Sequence, residues 1–202
     1  MLVDKNIVME MATKKSIEGV CDSQNSQGVV AVIPFPQYAP LQDIPRQSLY
    51  FDNISDPGNM GTLLRTAAWF GIGSIFLSSG CVDPLNSKVL RSAMGAHFHL
   101  RTLLTIAPDD LFKKYTKAGY SILSADIKGE SLHNLRINLG KEWILILGSE
   151  AHGMNDALQS YITHRISISG FGGMESLNVA VAGGILLHNL TSSMRLLQTE
   201  KK

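Results

Sequence analysis

Cysteine is nearly absent: Cys21 and Cys81 are the only two in 202 residues. Two thiols cannot build a disulfide framework or a four-thiolate zinc site, and each is expected to be a reduced thiol of an intracellular protein. No run approaches the roughly 20 apolar residues of a membrane span. The opening MLVDKNIVME lacks the apolar stretch of a signal peptide. A cytoplasmic protein, away from membranes, is therefore expected. Charge of either sign is scarce and balanced: 18 Lys and Arg face 17 Asp and Glu, for a formal net charge of +1. That excludes a polycation or an acidic disordered tail, but not a local basic groove.

The common catalytic signatures are missing too. No G-x-G-x-x-G follows a strand. Gly148 and Gly153 have the spacing of a P-loop, but Met154 and Asn155 stand where Lys and Ser/Thr are needed, so nothing there reaches a phosphate. There is no H-E-x-x-H. His97 and His99 would alternate onto one face of a strand, yet no third ligand is near, and no metal is expected. No G-x-S-x-G nucleophile elbow occurs.

What is present is an apolar content of 45% with 17% charged residues, enough for one well-buried core. Residues 1–28 are weakly patterned and read as a tail or linker. The run VVAVIPF, residues 29–35, predicts a buried strand. Further strands are expected at 48–53, 74–79, 97–103, 120–126, 142–148 and 164–169. Asp56-Pro57 marks a helix start that runs to Gly71. A helical turn near 86–94 follows. Residues 107–119 predict a helix with Leu111, Phe112 and Tyr115 on one side and Lys113, Lys114 and Lys117 on the other. A short helix at 154–161 and a long final helix from 176 complete the pattern. Strands alternating with helices predict an α/β protein with a mainly parallel sheet and helices on both faces.

Three segments carry polar groups and glycines that plain secondary structure does not need. In the first, residues 53–65, Gly58 and Gly61 sit inside a helix at about 1 kcal/mol each relative to alanine, so something must approach the backbone closely. Positions 58, 61 and 65 share a helical face, which puts Arg65 above a glycine floor. The second, residues 147–153, leaves the most apolar strand at its carboxyl end, where open α/β sheets bind ligands; Gly148 lets a ligand lie on the backbone and Glu150 adds a negative charge. The third, residues 165–184, is a glycine-rich loop entering a helix with Ser176 as the expected N-cap. Ala180, Ala182, Gly183 and Gly184 make that helix thin enough to pack closely, partly in a subunit interface.

Together the segments resemble the SpoU, or TrmH-like, family of RNA 2′-O-ribose methyltransferases in the SPOUT superfamily. The family patterns N-x-x-D-P-x-N-x-G-x-x-x-R, L-G-S-E-x-x-G and S-L-N-V-x-V-A fall in order at residues 53–65, 147–153 and 176–182. The resemblance spans about residues 27–196. It implies a C-terminal deep trefoil knot, a homodimer joined through the knot and final helix, and S-adenosylmethionine as cofactor, with no metal. It divides the chain into an N-terminal tail or remnant of an RNA-binding domain (1–28), a catalytic domain (29–197) and a C-terminal tail (198–202).

By position, the resemblance implies cofactor contacts from Ser124, Ala125, Asp126, Leu147, Gly148, Ser149, Gly153, Ile168, Ser176 and Leu177. It implies catalytic or substrate-side roles for Arg65, Asn59, Glu150, Ser176 and Asn178. Two departures stand out: Ile168-Ser169-Gly170 replaces the usual Ile-Pro-Met, and Ala151 replaces a common glycine. The expected reaction is methylation of a ribose 2′-hydroxyl in structured RNA, ribosomal favoured over transfer RNA. The alternative is a non-catalytic RNA-binding or ribosome-assembly protein on the same scaffold.

Overall fold

The computed structural model describes residues 8–21, 28–131, 142–149 and 154–199, with side chains to residue 192. The chain divides into two compact units, Met1–Phe35 and Pro36–Lys202. In the first, helix α1 (Lys14–Val20) begins where the Thr13 hydroxyl accepts the Ser16 N–H at 3.2 Å. This helix lies in the stretch that sequence pattern read as tail or linker. The buried strand expected at 29–35 is not formed. Those residues are irregular and open, with Val29 78% and Val32 96% exposed. Pro34 and Pro36 bracket the end of the run and cannot donate to a ladder, so apolar character alone does not secure a partner strand.

The second unit is built on six parallel strands, β1 (Gln47–Asp52), β2 (Ser74–Leu77), β3 (Thr102–Thr105), β4 (Ser121–Ser131), β5 (Trp143–Gly148) and β6 (His164–Ser167). Their spatial order is β3-β2-β1-β5-β4-β6. Helices α2 (Pro57–Trp69), α3 (Ser87–Ala93), α4 (Pro108–Lys117) and α5 (Val179–Thr199) complete it. Alternate residues of the strands serve opposite faces. Leu49, Phe51, Leu145 and Leu147 pack with Leu63 of α2, Val89 of α3 and Leu187 of α5. Tyr50, Ile144 and Ile146 face the other way, onto Leu111, Phe112 and Tyr115 of α4. The predicted α/β sheet with helices on both faces is thus formed, and the central strands are apolar on both sides because both sides are covered.

Two local expectations are corrected. Residues 96–99 form a single 3-10 turn rather than the start of a strand, and β3 begins only at Thr102. His97 and His99 therefore do not share a strand face: His97 is buried with Nε2 2.8 Å from the Pro84 carbonyl oxygen, while His99 is exposed. At the chain's end α5 continues through Thr199, into the stretch assigned to a tail. Residues 150–153, which precede the segment implied to form the C-terminal knot, lie outside the described residues.

Candidate active site

The carboxyl ends of β1 and β5 lie side by side, with Asp52 in register with Gly148. All three unusual segments start from or return to this edge. The first leaves β1 and enters α2, where Asp56 Oδ1 accepts the Asn59 N–H at 2.7 Å and Pro57 occupies the first turn. Such a cap satisfies a backbone donor that the helix itself cannot.

Gly61 is explained by a neighbouring helix. A Cβ there would stand 2.7 Å from the Val89 carbonyl oxygen and collide with the Ser92 hydroxyl of α3. That hydroxyl donates to the Pro57 carbonyl at 3.1 Å, bridging the two helices. The close approach read from the sequence is therefore another backbone, and Gly61 faces α3, not a ligand.

The third segment is joined to the first by a hydrogen bond. Asn178 Nδ2 donates to Asn59 Oδ1 at 2.9 Å, across 119 positions of sequence. Asn178 Oδ1 accepts the Ala180 and Val181 N–H groups at 3.0 and 3.3 Å. Asn178 is thus the cap of α5, not Ser176, which lies in the exposed loop before it. The second segment meets both at Gly183, where a Cβ would stand 2.7 Å from Leu63 of α2 and 3.0 Å from Leu147 of β5. The thin helix inferred from its small residues is what lets α5 sit against both elements.

Arg65 projects from α2 into solvent and makes no hydrogen bond or ion pair among the described residues. Leu177 is 47% exposed and Ile168 is half-buried against the core. Leu147 is buried, with Gly148 and Ser149 half-buried beyond it. Glu150 and Gly153 lie outside the described residues.

On β4, Ser124 is fully buried, and its hydroxyl is the one buried side-chain polar atom without a hydrogen-bond partner among the described residues. It sits between Ile146 of β5 and Arg165 of β6. Beyond Ala125 the pairing with β6 shifts to Glu130, so residues 126–129 leave the ladder. Within that detour Asp126 accepts the Lys128 N–H and the Arg165 guanidinium, both at 2.9 Å. The Lys128 N–H, with the Arg165 charge, holds the Asp126 carboxyl below its ordinary range.

One further residue was missed from sequence. Asp52 is 1% exposed, and both oxygens are engaged: Oδ1 with Asn53 Nδ2 at 3.2 Å, Oδ2 with the Asn155 N–H at 2.7 Å. It ties the end of β1 to the chain emerging from the second segment. A single acid ending an apolar strand was the available signal.

The fold and the gathered segments are those of an α/β enzyme, a class in which ligands bind at the carboxyl edge of the parallel sheet. The model of the SpoU rRNA Methylase family matches residues 46–188, and the chain belongs to that family. It is 31% identical over 195 residues to the 23S rRNA (guanosine(2553)-2'-O)-methyltransferase RlmP of Bacillus subtilis, covering 93% of this chain and 74% of that one. An rRNA methyltransferase structure from Sinorhizobium meliloti superposes with a TM-score of 0.79 at 28% identity, over 90% of this chain and 70% of that chain. An AdoMet-bound rRNA methyltransferase structure from the same organism gives a TM-score of 0.69 at 27% identity, covering 78% of this chain and 61% of that chain.

Proposed function

We propose that the chain methylates ribose 2′-hydroxyls of RNA, ribosomal RNA in preference to transfer RNA, using S-adenosylmethionine. The observation that carries this reading is the meeting of three separate segments at one sheet edge, through the Asn59–Asn178 hydrogen bond and the Gly183 contact with Leu63 and Leu147. The relatives' names supply the chemistry: an rRNA 2'-O-methyltransferase and an AdoMet-bound neighbour.

The residues present fit the cofactor. Gly148 offers backbone without a side chain at the strand end, and on the neighbouring strand, level with Ile146, the unpartnered Ser124 hydroxyl has hydrogen-bonding capacity to spare. Ser124, Ala125 and Asp126 would form one wall, Leu147, Gly148, Ser149 and Gly153 a second, and Ile168, Ser176 and Leu177 a third. When bound, the sulfonium supplies an electrophilic methyl group; the O–CH3 bond forms as the S–CH3 bond breaks and the hydroxyl proton leaves to solvent.

The chain's own residues make the poor 2′-hydroxyl nucleophile competent. Arg65 holds a permanent positive charge, so it acts as a donor that stabilises the emerging alkoxide and grips the neighbouring phosphate, not as a base. Asn59 and Asn178 form a rigid amide bridge that orients the ribose, and positioning of that kind lowers the barrier by reducing lost freedom. Glu150 would hold Arg65 or Asn59 in place, or favour the positive sulfonium. Two copies associate through α5, whose apolar Val181 is 53% exposed. The setting is cytoplasmic.

The test is transfer of tritium from methyl-labelled S-adenosylmethionine to bulk RNA, followed by mapping of 2′-O-methyl sites in RNA from cells lacking the protein. Label in the ribosomal fraction is expected. RNA binding without transfer would instead make the protein a non-catalytic binder on this scaffold.

A further inference from the structure

Trp69 lies one helical turn beyond Arg65 on α2 and is 84% exposed. Its indole makes no ring contact among the described residues. A tryptophan left in water forgoes a large burial gain, and at the edge of a cleft its flat ring offers an aromatic face to a ligand. Trp69 and Arg65 line the same cleft, of about 310 Å³, together with Met94, His99 and three alanines. That volume is at the lower end of small-ligand pockets, about 300–1,000 Å³.

The Met94 part of the lining is aimed by backbone conformation. Met94 ends α3 in the left-handed region at φ 50°, and Gly95 follows at φ 84°. The left-handed region is uncommon for a residue other than glycine, asparagine or aspartate, and the turn leaves the Met94 side chain 71% exposed at the cleft.

Charge identifies the occupant. Between Asp56 and Asp109 the only acidic residue is Asp83, while Arg65, Lys88, Arg91 and Arg101 are all exposed in that stretch. Residues 57–108 thus carry four cations against one acid, while the molecule as a whole carries only +1. An arginine beside an exposed indole in one cleft is how proteins hold single-stranded nucleic acid: the cation meets a phosphate and the ring stacks on a base.

We propose that Trp69 is the stacking platform for a nucleobase of the RNA substrate, next to the ribose that Arg65 engages, with Met94 and His99 lining the same cleft. This rests on the reading of the site as an RNA methyltransferase. It adds a positioning residue that sets how the RNA strand is presented, and the base stacked there is unpaired.

The test uses the full chain and a single-stranded oligouridylate of about 12 nucleotides, within the range such grooves cover. The two tryptophans make the readout local, because Trp143 is 1% exposed and inaccessible to acrylamide while Trp69 is not. Bound oligonucleotide is expected to quench Trp69 and shield it from acrylamide. Trp69→Ala should weaken oligonucleotide affinity by about tenfold or more, and Trp69→Phe should stay within about threefold of the parent. With substrate RNA, Trp69→Ala should raise the KM for RNA while the KM for S-adenosylmethionine stays put, a split that general misfolding would not give. The platform is overturned if the oligonucleotide fails to bind, if it binds with the indole still open, or if Trp69→Ala binds as the parent does. It is also overturned if shielding grows with protein concentration alone and Trp69→Ala turns a sedimenting dimer into monomer, which would assign the face to a second copy. Shielding by RNA without tritium transfer from the parent would instead remove the methyltransferase reading and leave the platform standing.

Discussion

Among single residues, Arg65 and Asp126 carry the sharpest consequences. Arg65 is the only cation among the proposed catalytic residues and has no structural partner among the described residues, so its removal should cost chemistry and not fold. Arg65→Ala is expected to lower methyl transfer at least about 100-fold, by analogy with loss of a transition-state donor. Calorimetry should find its affinity for S-adenosylmethionine unchanged; a variant retaining most activity would take Arg65 out of the reaction. Asp126 is different, because its charge is committed to the fold. Its carboxyl is held below the ordinary value of 3.8, chiefly by the Lys128 N–H and further by Arg165. A carboxyl whose folded pKa is depressed contributes stability above its unfolded pKa and loses it as pH falls through the folded value. Urea midpoints of the parent and Asp126→Asn should therefore differ at pH 6 and converge as pH drops below about 4. A gap that persists to lower pH would mean the contribution is packing rather than ionisation.

At the scale of elements, two glycines of similar appearance should respond with opposite sign. Glycine to alanine in a helix interior gains about 1 kcal/mol from propensity. At Gly184 the nearest atom to a new Cβ is Thr66 Cγ2 at 3.9 Å, ordinary contact, so Gly184→Ala should stabilise by up to that amount. At Gly61 the new methyl meets the Val89 carbonyl oxygen at 2.7 Å and the hydrogen-bonded Ser92. Parting α2 from α3 costs about 1–3 kcal/mol, and Gly61→Ala should be destabilising on balance in urea denaturation. The same contrast shows what sequence could and could not tell. Local pattern carried α4, with Leu111, Phe112 and Tyr115 on its buried side, and the β5 run, because each is written in neighbouring residues. It located a close approach at Gly61 but not its source, since Ser92 lies 31 positions away. It put the α5 cap at Ser176, for both Ser176 and Asn178 are good capping residues. Asn178 holds the place because its side-chain oxygen accepts backbone N–H groups of the first turn and its amide bridges to distant Asn59. His97 was read into a strand because its bond to the Pro84 carbonyl is likewise invisible along the chain.

For the whole molecule, a ligand lodged at the sheet edge would convert binding into stability. The candidate residues come from α2, β4, β5 and the loop that ends in the cap of α5, so a cofactor lodged among them would tie together elements far apart in sequence. Strand order was not legible for the same reason: β1 lies beside β5, and β6 at an edge beside β4, through pairings that no local pattern encodes. A ligand that binds only the folded chain stabilises it by about 2.7 kcal/mol at a hundredfold excess over Kd. For a domain of this size each kcal/mol raises Tm by about 2–4 °C, so S-adenosylmethionine should raise it by roughly 5–10 °C. Gly148→Val fills the strand end on which the cofactor would lie and should abolish most of that shift at the same ligand concentration. Arg65→Ala, acting on the RNA side, should keep it. If Gly148→Val melts with the same increment as the parent, the cofactor does not rest on the carboxyl end of β5, and the three segments meet there for another reason.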